Sequence, residues 1–317
     1  MRSLICCIAL LIASPLWAAS KYPPTSVELP VEQISAHAYY VRGTPGMATD
    51  NEGFVSNAGF VLTDAGVVVF DSLGTPSLAW ALRKKIRELT DQPVVKVVVS
   101  HYHADHVYGL QVFKDEGAEI LAPRGAYDYL DSAAAAERLD ERRFSLDPWV
   151  NDNTRLVRPD RLIEQEYLFS LGGIDFQVNY LGSAHSDGDM TLYVVQDRVL
   201  FSGDIIFEGR LPFVGDADTK RWLETLATLE TDGLAALVPG HGPAADRPVE
   251  AVAGTRSYLA YLREVMGAAV EELQDFESAY AAADWGPFEG LPAFEAANRR
   301  NAYQVYLSME AESLAGD

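Results

Sequence analysis

The chain has 317 residues, 48% apolar and 22% charged, an ordinary globular composition that excludes a disordered, collagenous or multi-span membrane protein. It carries 25 basic against 46 acidic residues, a net charge of −21. A surface that acidic repels phosphate backbones and anionic headgroups, so neither nucleic acid nor a membrane surface is expected as a partner.

Residues 1–19 read as a cleaved secretory signal: a basic Arg2, an apolar run from Leu4 to Leu16, and the small residues Ala18, Ala19 and Ser20. The run is too short to span a bilayer comfortably, which favours cleavage over the alternative of a retained N-terminal anchor. The expected location is periplasmic or secreted. The only two cysteines, Cys6 and Cys7, fall inside this segment, which leaves the remaining chain no disulfide, thiol nucleophile or cysteine metal ligand.

In chain order, the first half predicts a strand at Ala38–Arg42, a glycine-containing loop at Gly43–Gly53, and strands at Phe54–Leu62 and Val67–Phe70. A helix follows from Thr75 to Leu89, with Thr75 as cap and Pro76 in the first turn. Val94–Val99, a continuous β-branched run, predicts a strand buried on both faces. After a histidine-rich loop and a short helix come a strand at Glu119–Ala122 and a helix at Arg124–Glu137. The second half predicts strands at Arg161–Leu171 and Ile174–Tyr180 around Gly172-Gly173, then Thr191–Val195 and Arg198–Ser202 around Gln196-Asp197. A helix at Asp218–Glu230, a strand at Ala235–Val238 and helices at Val249–Gln274 and Pro292–Ser313 complete it. This order suits a mixed α+β fold of two packed sheets with helices outside, over residues 20–248, followed by a helical extension at 249–317.

The chemistry concentrates in Ser100-His101-Tyr102-His103-Ala104-Asp105-His106, directly after a strand, in a chain with only six histidines. Packed imidazoles are costly as mere structure, whereas neutral imidazole and carboxylate are what a divalent cation needs. His101 and His103, two apart on an extended segment, project to one side and can grip one ion. Asp105 and His106 lie where the chain turns into a helix and can reach a second. His185, Asp204 and His241 each sit in a small-residue context at the end of a predicted strand, where α/β scaffolds present ligands. His37, before the first strand with no partner in view, is read as a surface or packing residue.

The series His101-x-His103-x-Asp105-His106, His185, Asp204, His241 resembles the metallo-β-lactamase superfamily over roughly Glu32–Pro243. The resemblance implies a four-layer αββα sandwich. It implies that His101, His103 and His185 bind a first metal, that Asp105, His106 and His241 bind a second, that Asp204 bridges both, and that Asp71 supports the metal loop. The bridging aspartate is similar to that of glyoxalase II. Ligands without thiolate favour two Zn2+ per chain, with iron or manganese as alternatives. The implied reaction is hydrolysis of a small ester, thioester or amide by a hydroxide shared between the metals, with Asp105 among the catalytic groups. A β-lactamase-type hydrolase and a mononuclear iron persulfide dioxygenase are the alternatives within the superfamily.

The stretches Phe201–Arg210 and Asn301–Leu307 resemble SoxH-type proteins and the quinoprotein relay system zinc metallohydrolases. That implies a periplasmic quinoprotein or sulfur-oxidation system as the setting. Substrate contacts are expected from Gly43–Gly53, read as a lid, from Ile205–Ala217, and from the C-terminal helices. Arg210 either pairs at the surface with Glu208 or Asp216 or holds the carboxylate of an anionic small molecule.

Overall fold

The computed structural model describes residues 21–315, so the proposed signal segment lies outside the described residues. Among the described residues, no helix is long and apolar enough to cross a membrane.

Among the described residues, twelve strands form two sheets. The first contains β1 (Val31–Gln33), β2 (Ala38–Val41), β3 (Ala58–Thr63), β4 (Gly66–Phe70), β5 (Val94–Val98), β6 (Glu119–Pro123) and β7 (Arg161–Ile163), in that spatial order. Pairing is antiparallel from β1 to β4 and parallel from β4 to β7. The second sheet contains β8 (Tyr167–Leu171), β9 (Ile174–Gly182), β10 (Asp189–Val194), β11 (Val199–Phe207) and β12 (Ala236–His241), parallel only between β11 and β12. Alternating apolar residues of both sheets meet in one buried apolar layer, with Val61, Val68, Phe70 and Val98 on one side and Val178, Leu192, Phe201 and Val238 on the other. Gly59 in β3 exists for this contact, since a Cβ there would lie 2.2 Å from the Phe201 ring.

Helices cover both outer faces. On the first sheet lie α1 (Pro76–Leu89), α2 (Ala104–Val107), α3 (Leu110–Asp115), α4 (Gly125–Leu130) and α5 (Ala133–Ser145), burying among others Leu78, Leu82, Ile86, Leu110, Phe113 and Leu139. On the second lie α6 (Thr219–Thr228) and the C-terminal α7 (Pro248–Glu271), α8 (Phe276–Ala282) and α9 (Phe294–Ala315), around Trp222, Tyr258, Leu262 and Val305. The architecture is therefore the expected four-layer mixed sandwich with a helical extension. Thr75 caps α1 as expected, accepting a hydrogen bond from the Leu78 N–H at 3.1 Å, with Pro76 next to it.

Five expectations shift. The segment predicted as a strand from Phe54 begins pairing only at Ala58, because Val55 and Asn57 spend their backbone groups on the loop that carries His241. The run Arg161–Leu171 is two strands in different sheets, divided at the polar Glu164-Gln165-Glu166. The helix expected at Arg124–Glu137 breaks at Ser132, whose hydroxyl caps a new helix running to Ser145. β5 is not buried on both faces along its length: Val95 and Lys96 are half-buried, and Lys96 pairs with Glu119 on β6. His37 does have a partner, since its N–H and Nδ1 lie 2.9 and 2.7 Å from the Asp197 carboxylate in the β10–β11 turn. Strand β1 and helix α8 carried no sequence signal strong enough to be predicted.

Candidate metal centre

The loop after β5 delivers His101 and His103, and α2 delivers Asp105 and His106, so four candidate ligands come from one strand-to-helix turn. His185 stands in the connection between β9 and β10, and His241 ends β12. Asp204 was expected at a strand end but lies within β11, which continues to Phe207. It can still turn into the site, because pairing with β12 is irregular between Phe201 and Phe207 and Gly203 adopts φ +54°. Opposite it, Gly240 leaves no room for a side chain: a Cβ would lie 1.9 Å from Asp204 Oδ1.

These residues form two adjoining groups, His101, His103, His185 and Asp204 in one and Asp105, His106 and His241 in the other, each with one ligand atom per residue within 4.8 Å of the rest. In the first, His103 Nδ1 lies 2.9 Å from His101 Nε2 and 3.1 Å from His185 Nε2. In the second, Asp105 Oδ2 lies 3.6 Å from His106 Nε2 and 3.3 Å from His241 Nε2. Asp204 faces both, with Oδ2 3.3 Å from His185 Nε2 and 3.3 Å from His241 Nε2, and Oδ1 3.2 Å from His106 Nε2.

The outward ring nitrogens fix which nitrogens face inward. His106 Nδ1–H donates to Asp71 Oδ2 at 2.8 Å. His101 Nδ1–H donates to Ser100 Oγ at 2.9 Å, and that hydroxyl donates in turn to Asp71 Oδ2 at 2.7 Å. Asp71 Oδ1 takes the Ser100 N–H at 2.7 Å, so one buried carboxylate, held at φ +61°, orients both rings. His241 Nδ1–H donates to the Val55 carbonyl at 2.7 Å. The His185 loop is clamped by Asp189, which accepts from the Ala184 and Ser186 N–H groups at 3.2 and 2.9 Å. His185 Nδ1 itself has no partner and lies among Phe207 and Trp222.

A divalent cation fits this donor set. His106 Nε2 and Asp204 Oδ1 are buried, face each other, and have no hydrogen-bond partner. Three imidazole nitrogens converging at about 3 Å cannot all be satisfied by protons, whereas their lone pairs suit one cation. The electrostatics divide the same way. Burial drives His101, His103 and His185 below the usual histidine range, His185 to about 3, so all three are neutral and ligand-competent. Burial also opposes charge on His106, yet Asp204, Asp105 and Asp71 together raise it well above its ordinary value. His241 is raised against burial by Asp204 and Asp105. Asp204 falls well below the carboxylate range against burial, through His241 and His106.

A cavity of about 360 Å³ opens over His103, Asp105, Asp204 and His241. Gly46, Ala48 and Gly53 of the expected lid form one of its walls. That loop is tied down: Thr44 N–H donates to the Phe54 carbonyl, Gly53 N–H to the Ala48 carbonyl, and buried Glu52 accepts from Thr25 and Ser26. Arg210 lines the cavity and pairs with neither Glu208 nor Asp216; its Nη1 approaches His241 Nδ1 at 3.3 Å and its Nε has no partner. Sequence reasoning missed Ser100 and Asn57. Asn57 joins Gly43 to the His241 loop through its N–H to the Gly240 carbonyl and its amide to the Pro239 and Gly242 carbonyls.

Comparison with known proteins agrees with this geometry. The family profile described as Metallo-beta-lactamase superfamily matches residues 51–241. The chain is 24% identical to the metallo-beta-lactamase type 2 of Elizabethkingia meningoseptica, covering 70% of this chain and 81% of that protein. It is 32% identical to the acyl-coenzyme A thioesterase MBLAC2 of Gallus gallus over a shorter stretch, 45% of this chain and 55% of that one. Among solved structures, a metallo-beta-lactamase from Pontibacter korlensis superposes with TM-score 0.58 at 23% identity, over 74% of this chain and 99% of that one. The inverting sec-alkylsulfatase Pisa1 from Pseudomonas sp. superposes with TM-score 0.69 at 20% identity, over 88% of this chain but 50% of its own. With the profile spanning more than half of its residues and the His/Asp cluster in place, the chain belongs to the metallo-beta-lactamase superfamily.

Proposed function

We propose that the protein is an exported dinuclear zinc hydrolase of small anionic esters, thioesters or amides. The observation that carries this reading is the sharing of Asp204 between two nitrogen-and-oxygen ligand groups, its Oδ2 3.3 Å from both His185 and His241 and its Oδ1 3.2 Å from His106. His101, His103 and His185 would hold one ion, Asp105, His106 and His241 the other, and Asp204 both. When bound, such a pair supplies hydroxide near neutral pH and polarises a carbonyl. The imidazole and carboxylate donors suit zinc, with iron or manganese as the competing ions.

The chain's own groups do the rest. Asp71, Ser100 and the Val55 carbonyl keep three imidazoles in the tautomer whose inward nitrogen bears a lone pair. Asp105 is the ligand carboxylate with the most access to the cavity, its side chain 28% exposed, and is placed to accept a hydrogen bond from the attacking water and orient it. Its acidity supports an orienting role rather than that of a strong base: against burial, His106 and His241 hold it far below the carboxylate range. Arg210 is placed to hold an anionic arm of the substrate beside His241.

The signal-like segment at residues 1–19 supports export to a periplasm, and the SoxH-like stretches support a role beside a quinoprotein or sulfur-oxidation system. The thioesterase named among the relatives supports a thioester as the first substrate class to try. The test is metal analysis of protein recovered from a periplasm, followed by a panel of thioesters, lactones and lactams. Two zinc equivalents and metal-dependent hydrolysis are expected. One iron per chain with oxygen uptake would replace this reading by the dioxygenase alternative.

A further inference from the structure

We infer that the substrate is a dianion whose two negative groups flank the scissile bond, each held by arginines from a different half of the sandwich. The inference rests on the hydrolase reading for the bond broken, but its own basis is the cavity wall. In a chain of 25 basic and 46 acidic residues, four arginines line this one cavity: Arg138, Arg142, Arg210 and Arg300. Beyond the ligand carboxylates, Asp216 is the lone acidic residue among the lining groups.

The four divide by origin. Arg138 and Arg142 are one turn apart on α5, so they share a helix face, and that helix is anchored by Leu139 and Leu146 in the core of the first half. They have one carboxylate between them, Glu141, at 2.8 Å from Arg138 and 3.9 Å from Arg142, which leaves this wall a net positive charge. Arg210 follows β11, and Arg300 comes from α9 in the core of the second half. Neither has a carboxylate within salt-bridge distance among the described residues. Arg300 lies over the Phe213 ring, 5.4 Å from its centroid, and Phe213 also lines the cavity. Phe213 is held in turn by its neighbour Val214, whose N–H donates to the buried Asn301 amide oxygen at 3.0 Å, one residue beyond Arg300. The extension thus fixes both the guanidinium and the ring beneath it.

The ligand groups lie at the seam between these halves, so a scissile bond placed over them has an arginine wall on each side. A planar guanidinium fork suits carboxylate, sulfonate or phosphate. A monoanion would leave one wall unused, and a neutral compound both. The acidic exterior makes the contrast functional, because positive walls beside the site offset the repulsion a dianion meets from the rest of this protein.

The test crosses four thioesters: butyryl or glutaryl on the acyl side, with 2-mercaptoethanol or 2-mercaptoethanesulfonate as leaving group. Their uncleavable thioether analogues are titrated by calorimetry into the zinc-loaded protein. The dianion should bind about tenfold or more tighter than either monoanion, as expected for an added charge-assisted contact. Arg300→Gln should cut the advantage of one anion, which Arg210 alone then holds, and the Arg138→Gln, Arg142→Gln double variant should erase that of the other, in either assignment, while Arg221→Gln on α6 changes neither. Arg300 is exposed, so its variant reads binding rather than folding. A dianion that binds no tighter than the monoanions, or arginine variants that weaken all four compounds alike, would overturn the inference. Hydrolysis of all four thioesters without charge preference sinks it and leaves the hydrolase reading standing. Wall-specific binding without hydrolysis does the reverse.

Discussion

Asp71→Asn is nearly isosteric, yet it should cost the second metal. Asp71 Oδ2 accepts from both His106 Nδ1 at 2.8 Å and Ser100 Oγ at 2.7 Å, while Oδ1 takes the Ser100 N–H at 2.7 Å. An asparagine oxygen can keep only one of these sides. If it keeps the Ser100 N–H, its NH2 meets the His106 Nδ1–H, donor against donor. The relief is to move the His106 proton to Nε2, where it points at Asp204 Oδ1, 3.2 Å away, in place of the lone pair a metal requires. Loss of such an outer partner costs about 10- to 100-fold in metal affinity, or about 1.4–2.7 kcal/mol. Zinc content should be followed by elemental analysis during titration with a competing chelator, with circular dichroism to show that the fold persists. One zinc should be lost at chelator levels the wild type withstands, with activity falling in parallel. A folded Asp71→Asn protein that keeps both ions at wild-type affinity would refute the tautomer argument.

Gly240→Ala should remove metal and activity together, since the added Cβ would sit 1.9 Å from Asp204 Oδ1 and 2.7 Å from its backbone nitrogen; elemental analysis and a thermal melt read the two effects. Burial raises Asp189 to about 7 from an ordinary 3.8, against the Ser186 N–H and hydroxyl. A raised folded value means stability that is full below about pH 4 and is lost as pH climbs to about 7, on the order of 4 kcal/mol. Chelator-treated Asp189→Asn should therefore show a flatter dependence of denaturant stability over that window, and an unchanged slope would exclude Asp189 as its source. Because carboxylates raise His106 and His241 in the metal-free site, zinc must displace their protons, and binding should weaken as pH falls. Calorimetry in buffers of different ionisation enthalpy should show proton release, whereas buffer-independent heats would contradict the assignment of both residues.

What was legible in the sequence was what is local or periodic. His101, His103, Asp105 and His106 come from one turn, so their spacing alone announced a ligand group. His185 and His241 were legible because one follows β9 and the other ends β12, each in a run of small residues, and α1 because Thr75 and Pro76 announce its start. Asp204 was found for a partly mistaken reason, since β11 runs past it and a left-handed Gly203, not a strand end, turns it inward. The Val55 carbonyl could not be foreseen, because a backbone group carries no residue identity. Arg138 lies one residue past the helix expected to end at Glu137, and Arg300 lies on a C-terminal helix expected to contact substrate without being singled out; only folding brings residues so far apart in sequence to one cavity.

The same distance explains why the site is built as it is. β4 and β5 supply Asp71 and the loop of His101, His103, Asp105 and His106, whereas β9 to β12 supply His185, Asp204 and His241, so neither half owns a complete pair of metal sites. The join is made twice without any metal. Asn57, just before β3, binds three carbonyls of the His241 loop, and Val55 two residues earlier takes the His241 Nδ1–H. On the other side, the Met190 N–H of β10 donates to the Ser100 carbonyl at 2.8 Å, next to His101. These bonds hold His241 against the segment before β3, and β10 against the β5 loop, before any ion arrives, which is the preorganisation a shared carboxylate needs if it is to face two ligand groups that each draw on both halves. They also place the arginine walls, because α5 and the β11 exit loop are fixed to the two halves whose separation those bonds set.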